Sequence, residues 1–343
     1  MQSFELKRIL RFYKEAKAKK YKTVMASLVG LKGSSYRKPG VRMLFDENGK
    51  MMGAISGGCV EKEIFRRAEE VFATGISKVV SYDGRYRLGC EGFLYVLIEK
   101  FEPTGAAVTL LEKALEKRDT IGITSYYKEA TEFNGKFGSV FSYKNQNIAL
   151  SQHLVFENVP EAWSCFRQKT KTAIQLILIG SGHDTLTLSN MASSMGWDVW
   201  VICSAQSNKG FQDFPGATRV EAIDPDLMDV RKIDERTAVV LMNHNFAKDL
   251  RYLLQLAKCP PKYTGILGST KRWNRLQNEL LEIDSTVDLD FLDTVYSPAG
   301  LDIGSETTEE ISLAIASEIQ AAFSNKNLED MKALSVAKLK NIV

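Results

Sequence analysis

Ala173-Ile174-Gln175-Leu176-Ile177-Leu178-Ile179-Gly180-Ser181-Gly182-His183 is the stretch on which the fold reading turns. A nearly continuous apolar run of this kind suits a parallel strand buried on both faces. Gly180-Ser181-Gly182 ends the run, and the pattern that follows predicts a helix to about Met195. Further strands are expected at 199–203, 220–223, 238–242 and 264–267, with helices at 246–257, 271–283 and 307–323 between and after them. Strand-helix alternation of this kind predicts a doubly wound α/β domain. Thr307 and Glu310 have the spacing of a capping box for the last helix.

Upstream the pattern changes. Residues 4–20 read as a helix with Phe4, Ile9, Leu10, Tyr13 and Ala16 on one face. Short strands are expected at 23–30, 41–45, 51–55, 79–82 and 93–98, the second and third as a hairpin around Asp46-Glu47-Asn48-Gly49. Residues 59–74 read as a helix, with Glu61 and Glu63 in its first turns, where the dipole favours acids. From 104 to 171 the signals are a helix near 107–116, a strand near 121–126 and a hairpin around Asn134-Gly135. The domain expectation is an N-terminal α+β domain over 1–170, a Rossmann-like doubly wound α/β domain over 171–325, and a polar tail of helical character over 326–343.

A chain of 343 residues is about two domains of the usual ~150 residues. Lys+Arg is 45 against 42 Asp+Glu, a net charge of +3, which argues against a nucleic-acid binder working by bulk electrostatics. No apolar run approaches the ~18 residues of a membrane span, so no membrane association is expected. The first twenty residues have no continuous apolar segment, so no secretory signal is expected. Cys59, Cys90, Cys165, Cys203 and Cys259 are an odd set with no C-x-x-C pair, which fits a reducing cytoplasm better than a disulfide framework or zinc site.

Several segments could carry chemistry. Gly180-x-Gly182 before a helix suits a pyrophosphate, with His183 beside it, yet the third glycine of G-x-G-x-x-G is Thr185. The ribose-binding acid expected at the end of the next strand is replaced by Cys203 and Ser204, so NAD(P) binding and a Rossmann-like fold without nucleotide both stay open. Ser56-Gly57-Gly58-Cys59-Val60-Glu61 forms a glycine nest at a helix start, where a cysteine thiol has a lowered pKa. The alternative there is a tight turn followed by a buried small hydrophobe. Leu88-Gly89-Cys90-Glu91-Gly92 places a second thiol among glycines. Arg37, Lys38 and Arg42, with Ser34 and Ser35, could bind phosphate or carboxylate, or form a solvated basic loop. At the expected C-terminal edge of the parallel sheet stand His244, Gly268, Ser269 and Asp302, where open α/β sheets bind ligands.

Taken together, these motifs resemble the XdhC/CoxI family, the accessory proteins of xanthine and carbon monoxide dehydrogenases. The resemblance rests on Gly33-Ser34-Ser35-Tyr36-Arg37-x-Pro39-Gly40, Ser56-Gly57-Gly58-Cys59-Val60-Glu61, Tyr82-Asp83 and Leu88-Gly89-Cys90-x-Gly92. It continues through Gly180-x-Gly182-His183, Met242-x-His244, Gly265-x-Leu267-Gly268-Ser269 and Pro298-x-Gly300-Leu301-Asp302-Ile303-Gly304. Glu91 and Ser204 depart from the family's usual Gly and Asp.

The resemblance implies a non-enzymatic chaperone that binds molybdenum cofactor, protects its sulfurated form and delivers it to a xanthine dehydrogenase-type molybdenum hydroxylase. It implies partnership with that enzyme and with the cofactor-sulfurating machinery; a homodimer is also expected. A pterin-phosphate anion would suit Gly57-Gly58, Arg37 and Arg42, and a soft molybdenum-sulfur centre would suit Cys59 or Cys90. The competing expectation is an NAD(P)-dependent oxidoreductase or sulfur-handling enzyme using the Rossmann-like domain.

Overall fold

The computed structural model describes residues 1–35, 37–55, 59–83, 92–130, 132–135, 137–150 and 160–324. The chain divides into two compact units, Met1–Thr172 and Ala173–Val343.

The first unit is α+β. Its larger sheet contains β1 (Thr23–Lys32), β2 (Arg42–Asp46), β3 (Met51–Gly53), β4 (Ser77–Asp83), β5 (Phe93–Lys100) and β7 (Glu132–Gly135). These run in the order β3-β2-β1-β5-β4-β7, every neighbouring pair antiparallel. A second antiparallel sheet, β10-β6-β8-β9, is built from β6 (Gly122–Tyr127), β8 (Gly138–Tyr143), β9 (Gln146–Ala149) and β10 (Ser164–Lys169). Among the described residues three helices accompany them: α1 (Ser3–Ala18), α2 (Cys59–Thr74) and α3 (Gly105–Glu116).

β1 explains the layering. Its first eight residues are all buried, so it lies at the centre with both faces covered. Val24, Ala26 and Leu28 meet Val60, Ile64, Ala68 and Val71 of α2. Met25 on the opposite face joins Leu6 and Leu10 of α1, Leu111 of α3, and Ile123 and Phe141 of the second sheet.

A polar seam interrupts this apolar layer. Arg42 Nη1 donates to Gly40 O at 3.1 Å and Nη2 to Ser125 Oγ at 3.1 Å. Ser125 Oγ and Ser139 Oγ share a bond of 2.7 Å, and Ser139 N donates to Glu99 Oε2 at 2.7 Å. Ser27, Glu99, Ser125 and Ser139 are fully buried, and Arg42 is 6% exposed. Ser27 Oγ, Arg42 Nε and Glu99 Oε1 have no hydrogen-bond partner among the described residues. Burial pushes Glu99 up to about 7 and pulls Arg42 down to about 10. In both, desolvation outweighs what favours the charged form: the Ser139 hydrogen bonds and the Arg42 charge for Glu99, and the Glu99 and Glu5 charges for Arg42.

The second unit is a doubly wound α/β domain. Its parallel strands are β11 (Gln175–Ile179), β12 (Asp198–Cys203), β13 (Arg219–Ala222), β14 (Thr237–Leu241), β15 (Tyr263–Ile266) and β16 (Val295–Tyr296), in the order β13-β12-β11-β14-β15-β16. One face carries α4 (His183–Ser194) and α8 (Thr308–Phe323), through Leu188, Ala192, Ile315 and Ile319. The other carries α5 (Phe246–Lys258), α6 (Thr270–Ile283) and α7 (Leu289–Asp293), through Leu253, Leu256, Leu276, Leu280 and Phe291. The winding direction reverses between β11 and β14.

Most expected elements are present with shifted ends. Asn134-Gly135 is the main departure: it lies inside β7, paired with Lys78 and Ser77 of β4, and makes no hairpin turn. Pairing of the exposed β4 edge outweighs the local turn preference. β10 and β16 are not foreseen from the sequence, because Ser164–Lys169 is polar and Val295–Tyr296 is only two residues long. The expected tail over 326–343 lies outside the described residues.

Candidate functional site

In the first unit, strand direction gathers the motif-bearing segments. β3 and β4 run the same way as β1, whereas β2 and β5 run against it. The strand ends from which segments 33–41, 54–58 and 84–92 depart therefore lie at one end of the sheet. Gly92 touches the first of these segments directly: a Cβ there would lie 2.4 Å from Ser34 O. That is closer than real Cβ atoms approach, so only glycine fits.

Individual residues take different places around this sheet end. Glu61 is 6% exposed and accepts from Ile55 N at 3.1 Å, so its carboxylate ties α2 to Ile55. Arg37 is partly buried. Arg42, expected either to bind an anion or to belong to a solvated basic stretch, is instead a buried residue of β2 held in the polar seam. Cys59 opens α2, but its side chain lies outside the described residues, as do Ser56, Gly57, Gly58 and Cys90.

In the second unit, the loops after β11 and β14 flank the reversal point, where doubly wound sheets form a ligand crevice. Gly180 has φ +149°, and a Cβ there would meet Met242 O at 2.7 Å, so the two strand ends pack backbone to backbone. Gly182 differs. Its φ is −77° and a Cβ would meet nothing within 4 Å. Neither strain nor crowding by the protein demands glycine here, and the open side can admit a ligand close to the backbone. Gly182 caps α4 without a side-chain bond, so the first-turn N–H groups of that helix receive no cap from it.

Two lysines that the sequence does not single out border this crevice. Lys209 Nζ donates to Ser181 O at 2.6 Å, and Lys248 Nζ donates to Ser204 Oγ at 2.6 Å. Lys248 thus stands where a ribose-binding acid would otherwise sit. His183 and His244 are exposed beside the loops. Deeper, the fully buried Asp249 accepts from Arg272 Nη2 at 2.5 Å and Asn243 Nδ2 at 3.2 Å, joining the starts of α5 and α6. Burial raises the Asp249 carboxyl, and Arg272 and Asn243 oppose that rise.

Gly268 has φ +136°, and its missing Cβ makes room for Arg272 Cδ, which would lie at 2.9 Å. Ser269 Oγ caps α6 by accepting from Arg272 N at 3.4 Å. Asp302 stands apart, in the loop after β16. The structure therefore gathers Gly180, Gly182, His183 and His244 at the reversal point, sets Gly268 and Ser269 at the end of β15, and leaves Asp302 further out.

Comparison with known proteins agrees with this two-part arrangement. The family model of the XdhC Rossmann domain matches residues 176–319, and that of the XdhC and CoxI family matches residues 16–83. The chain belongs to the XdhC/CoxI family. A relative from Bacillus subtilis (strain 168), described as a probable xanthine dehydrogenase subunit, is 29% identical over 320 residues, covering 86% of this chain and 92% of the relative. An Escherichia coli (strain K12) protein, the molybdenum cofactor insertion chaperone PaoD, is 22% identical over 318 residues, covering 91% of this chain and 86% of PaoD. A crystal structure described as a xanthine dehydrogenase from Bacillus halodurans superposes with a TM-score of 0.73 at 26% identity, covering 96% of this chain and 97% of that one. No helix among the described residues is long and apolar enough to cross a membrane.

Proposed function

We propose that this chain is an accessory maturation factor that holds molybdenum cofactor, protects its sulfurated form and passes it to a xanthine dehydrogenase-type molybdenum hydroxylase. The single observation that carries this reading is topological. The segments bearing Arg37, Ser56-Gly57-Gly58-Cys59 and Cys90 all leave from one end of the antiparallel sheet. The PaoD relative, named for cofactor insertion and spanning most of the chain, supports the same reading. The cargo's anionic phosphate suits the Gly57-Gly58 helix start and Arg37, and its soft metal-sulfur centre suits the Cys59 or Cys90 thiolate. Arg42 enters indirectly, by holding the Gly40 carbonyl from inside the sheet layer. Handing over an intact ligand needs no general acid-base pair. The partners under this reading are the client hydroxylase and a cofactor-sulfurating enzyme, in the cytoplasm, with the factor as a homodimer.

The test is anaerobic purification after co-expression with an active molybdenum-cofactor pathway. Molybdenum and pterin should co-purify near stoichiometrically, and Cys59→Ser or Cys90→Ser should lower retention. Retention unchanged in both variants would remove the thiols from the reading, and no retention by the unaltered chain would remove the reading itself.

A second reading concerns the Rossmann-type unit and rests on the Lys248–Ser204 contact. A cation at the end of β12 favours a phosphorylated nucleotide over one with a bare 2′-hydroxyl. Titration should then give saturable binding of NADP(H) that is tighter than NAD(H) and weakened by Lys248→Met.

A further inference from the structure

The end of β15, the loop after β16 and α8 as far as Glu318 line an open cavity of about 590 Å³. Leu267, Tyr296, Ile303 and Ile311 form much of its apolar wall. Its side-chain polar groups include Ser297, Asp302 and Glu318, and no Lys, Arg or His is among the described residues lining it. Such a wall repels a phosphate and favours a ligand that donates hydrogen bonds.

Glu318 is the key group. It is 5% exposed, and its Oε2 accepts from Tyr263 Oη at 2.6 Å and from Gly300 N at 2.8 Å. Those two donors fix the carboxylate through one oxygen and leave Oε1 to accept from a ligand. A carboxylate held away from bulk water is costly unless its oxygens are matched by donors, so a ligand that supplies one gains accordingly. Ser297 Oγ is buried without a partner among the described residues, and Asp302 offers a second, exposed carboxylate. Tyr296 stacks on Tyr263 with ring centroids 4.6 Å apart and planes 17° apart, which holds it as a flat wall.

We propose that this cavity binds a planar amino-heterocycle by its N–H edge, of the 2-amino-4-oxopyrimidine kind shared by pterins and guanine, with Glu318 Oε1 as principal acceptor and Asp302 as the second. Adjacent N–H donors on one flat edge can address Glu318 Oε1 and the Asp302 carboxylate together, which a single ammonium does less well, and the apolar walls suit the ring faces. Binding here involves neither Cys59 nor Cys90, so loss of cargo retention and loss of this site are separate outcomes.

The experiment is isothermal titration of the full chain with 6-hydroxymethylpterin, guanosine, inosine and benzylamine. Pterin or guanosine should bind saturably, and which of them does so identifies the source of the heterocycle. Inosine, which lacks only the 2-amino group, should bind at least ten-fold more weakly than guanosine if guanosine is the ligand. Glu318→Gln keeps an acceptor for Tyr263 and Gly300 but presents an N–H to the ligand, and should weaken binding at least ten-fold. Asp302→Asn lies on the exposed side, and should weaken binding several-fold with the fold intact even if Glu318→Gln does not fold. Failure of both pterin and guanosine to saturate, benzylamine binding as tightly as either, or affinity unchanged in Asp302→Asn would overturn the proposal.

Discussion

Glu99→Gln should flatten the pH dependence of stability in the N-terminal unit. Glu99 is fully buried in the seam, and burial raises it from 4.5 to about 7 in the folded chain. Between those values the folded state holds a proton that the unfolded state has released. Stability from this group is therefore present in full below the unfolded pKa and lost as pH rises through the folded one. Linkage between pH 5 and pH 8 gives a loss of about 2–3 kcal/mol. Arg42 stays charged throughout this window, and Glu5, which faces Arg42 from α1, shares its field. Urea unfolding at several pH values, read by exchange protection of the β8 amides, is the assay. Ser139 N is the local reporter, since it donates to Glu99 Oε2 at 2.7 Å. The quantity to compare is the slope with pH, because Glu99→Gln also leaves the Arg42 charge with less compensation and shifts the whole curve. Equal slopes in the two proteins between pH 5 and pH 8 would refute the reasoning.

Other outcomes follow from single contacts. Gly180→Ala should destabilise the C-terminal unit by about 1–3 kcal/mol in thermal unfolding, since its Cβ would meet Met242 O at 2.7 Å at positive φ. Gly182→Ala should cost no more than about 1 kcal/mol in thermal unfolding, from the poorer N-cap, while weakening any ligand bound at the crevice, because nothing in the protein lies within 4 Å of the added Cβ. Tyr263→Phe should cost about 1.5–3 kcal/mol in urea unfolding, by removing one of the two donors on the buried Glu318 carboxylate. Thr307→Ala should cost about 1 kcal/mol by the same measurement, through loss of the cap it forms with Glu310 at the start of α8.

The parallel sheet is legible because its strands are buried on both faces and read as continuous apolar runs, as at 175–179 and 237–241. β10 gives no such signal: Ser164–Lys169 alternates between partly buried and exposed positions and gains its place only by pairing with β6. Arg42 shows the same limit in the site. Its basic neighbours suggest an exposed anion loop, and only the partner strands reveal that Ser125 and Gly40 claim its guanidinium. Lys248 is invisible as a crevice residue because 44 positions separate it from Ser204. Glycines are better guides. Gly180 marks a close backbone approach, and Gly182 marks open space that side-chain patterning alone cannot distinguish from it.

The strand order of the C-terminal unit also bears on when its crevice comes into being. β11 and β14 are immediate neighbours in the sheet, yet β12, β13 and the segments around them intervene along the chain. During synthesis the glycine turn after β11 would emerge well before the Met242 backbone it packs against. A nascent chain halted after β13 would hold one wall of the crevice and lack the other. Occupancy of that crevice would thus report that the sheet has closed on both sides of β11, and a ligand bound there would favour completed molecules over truncated ones by mass action.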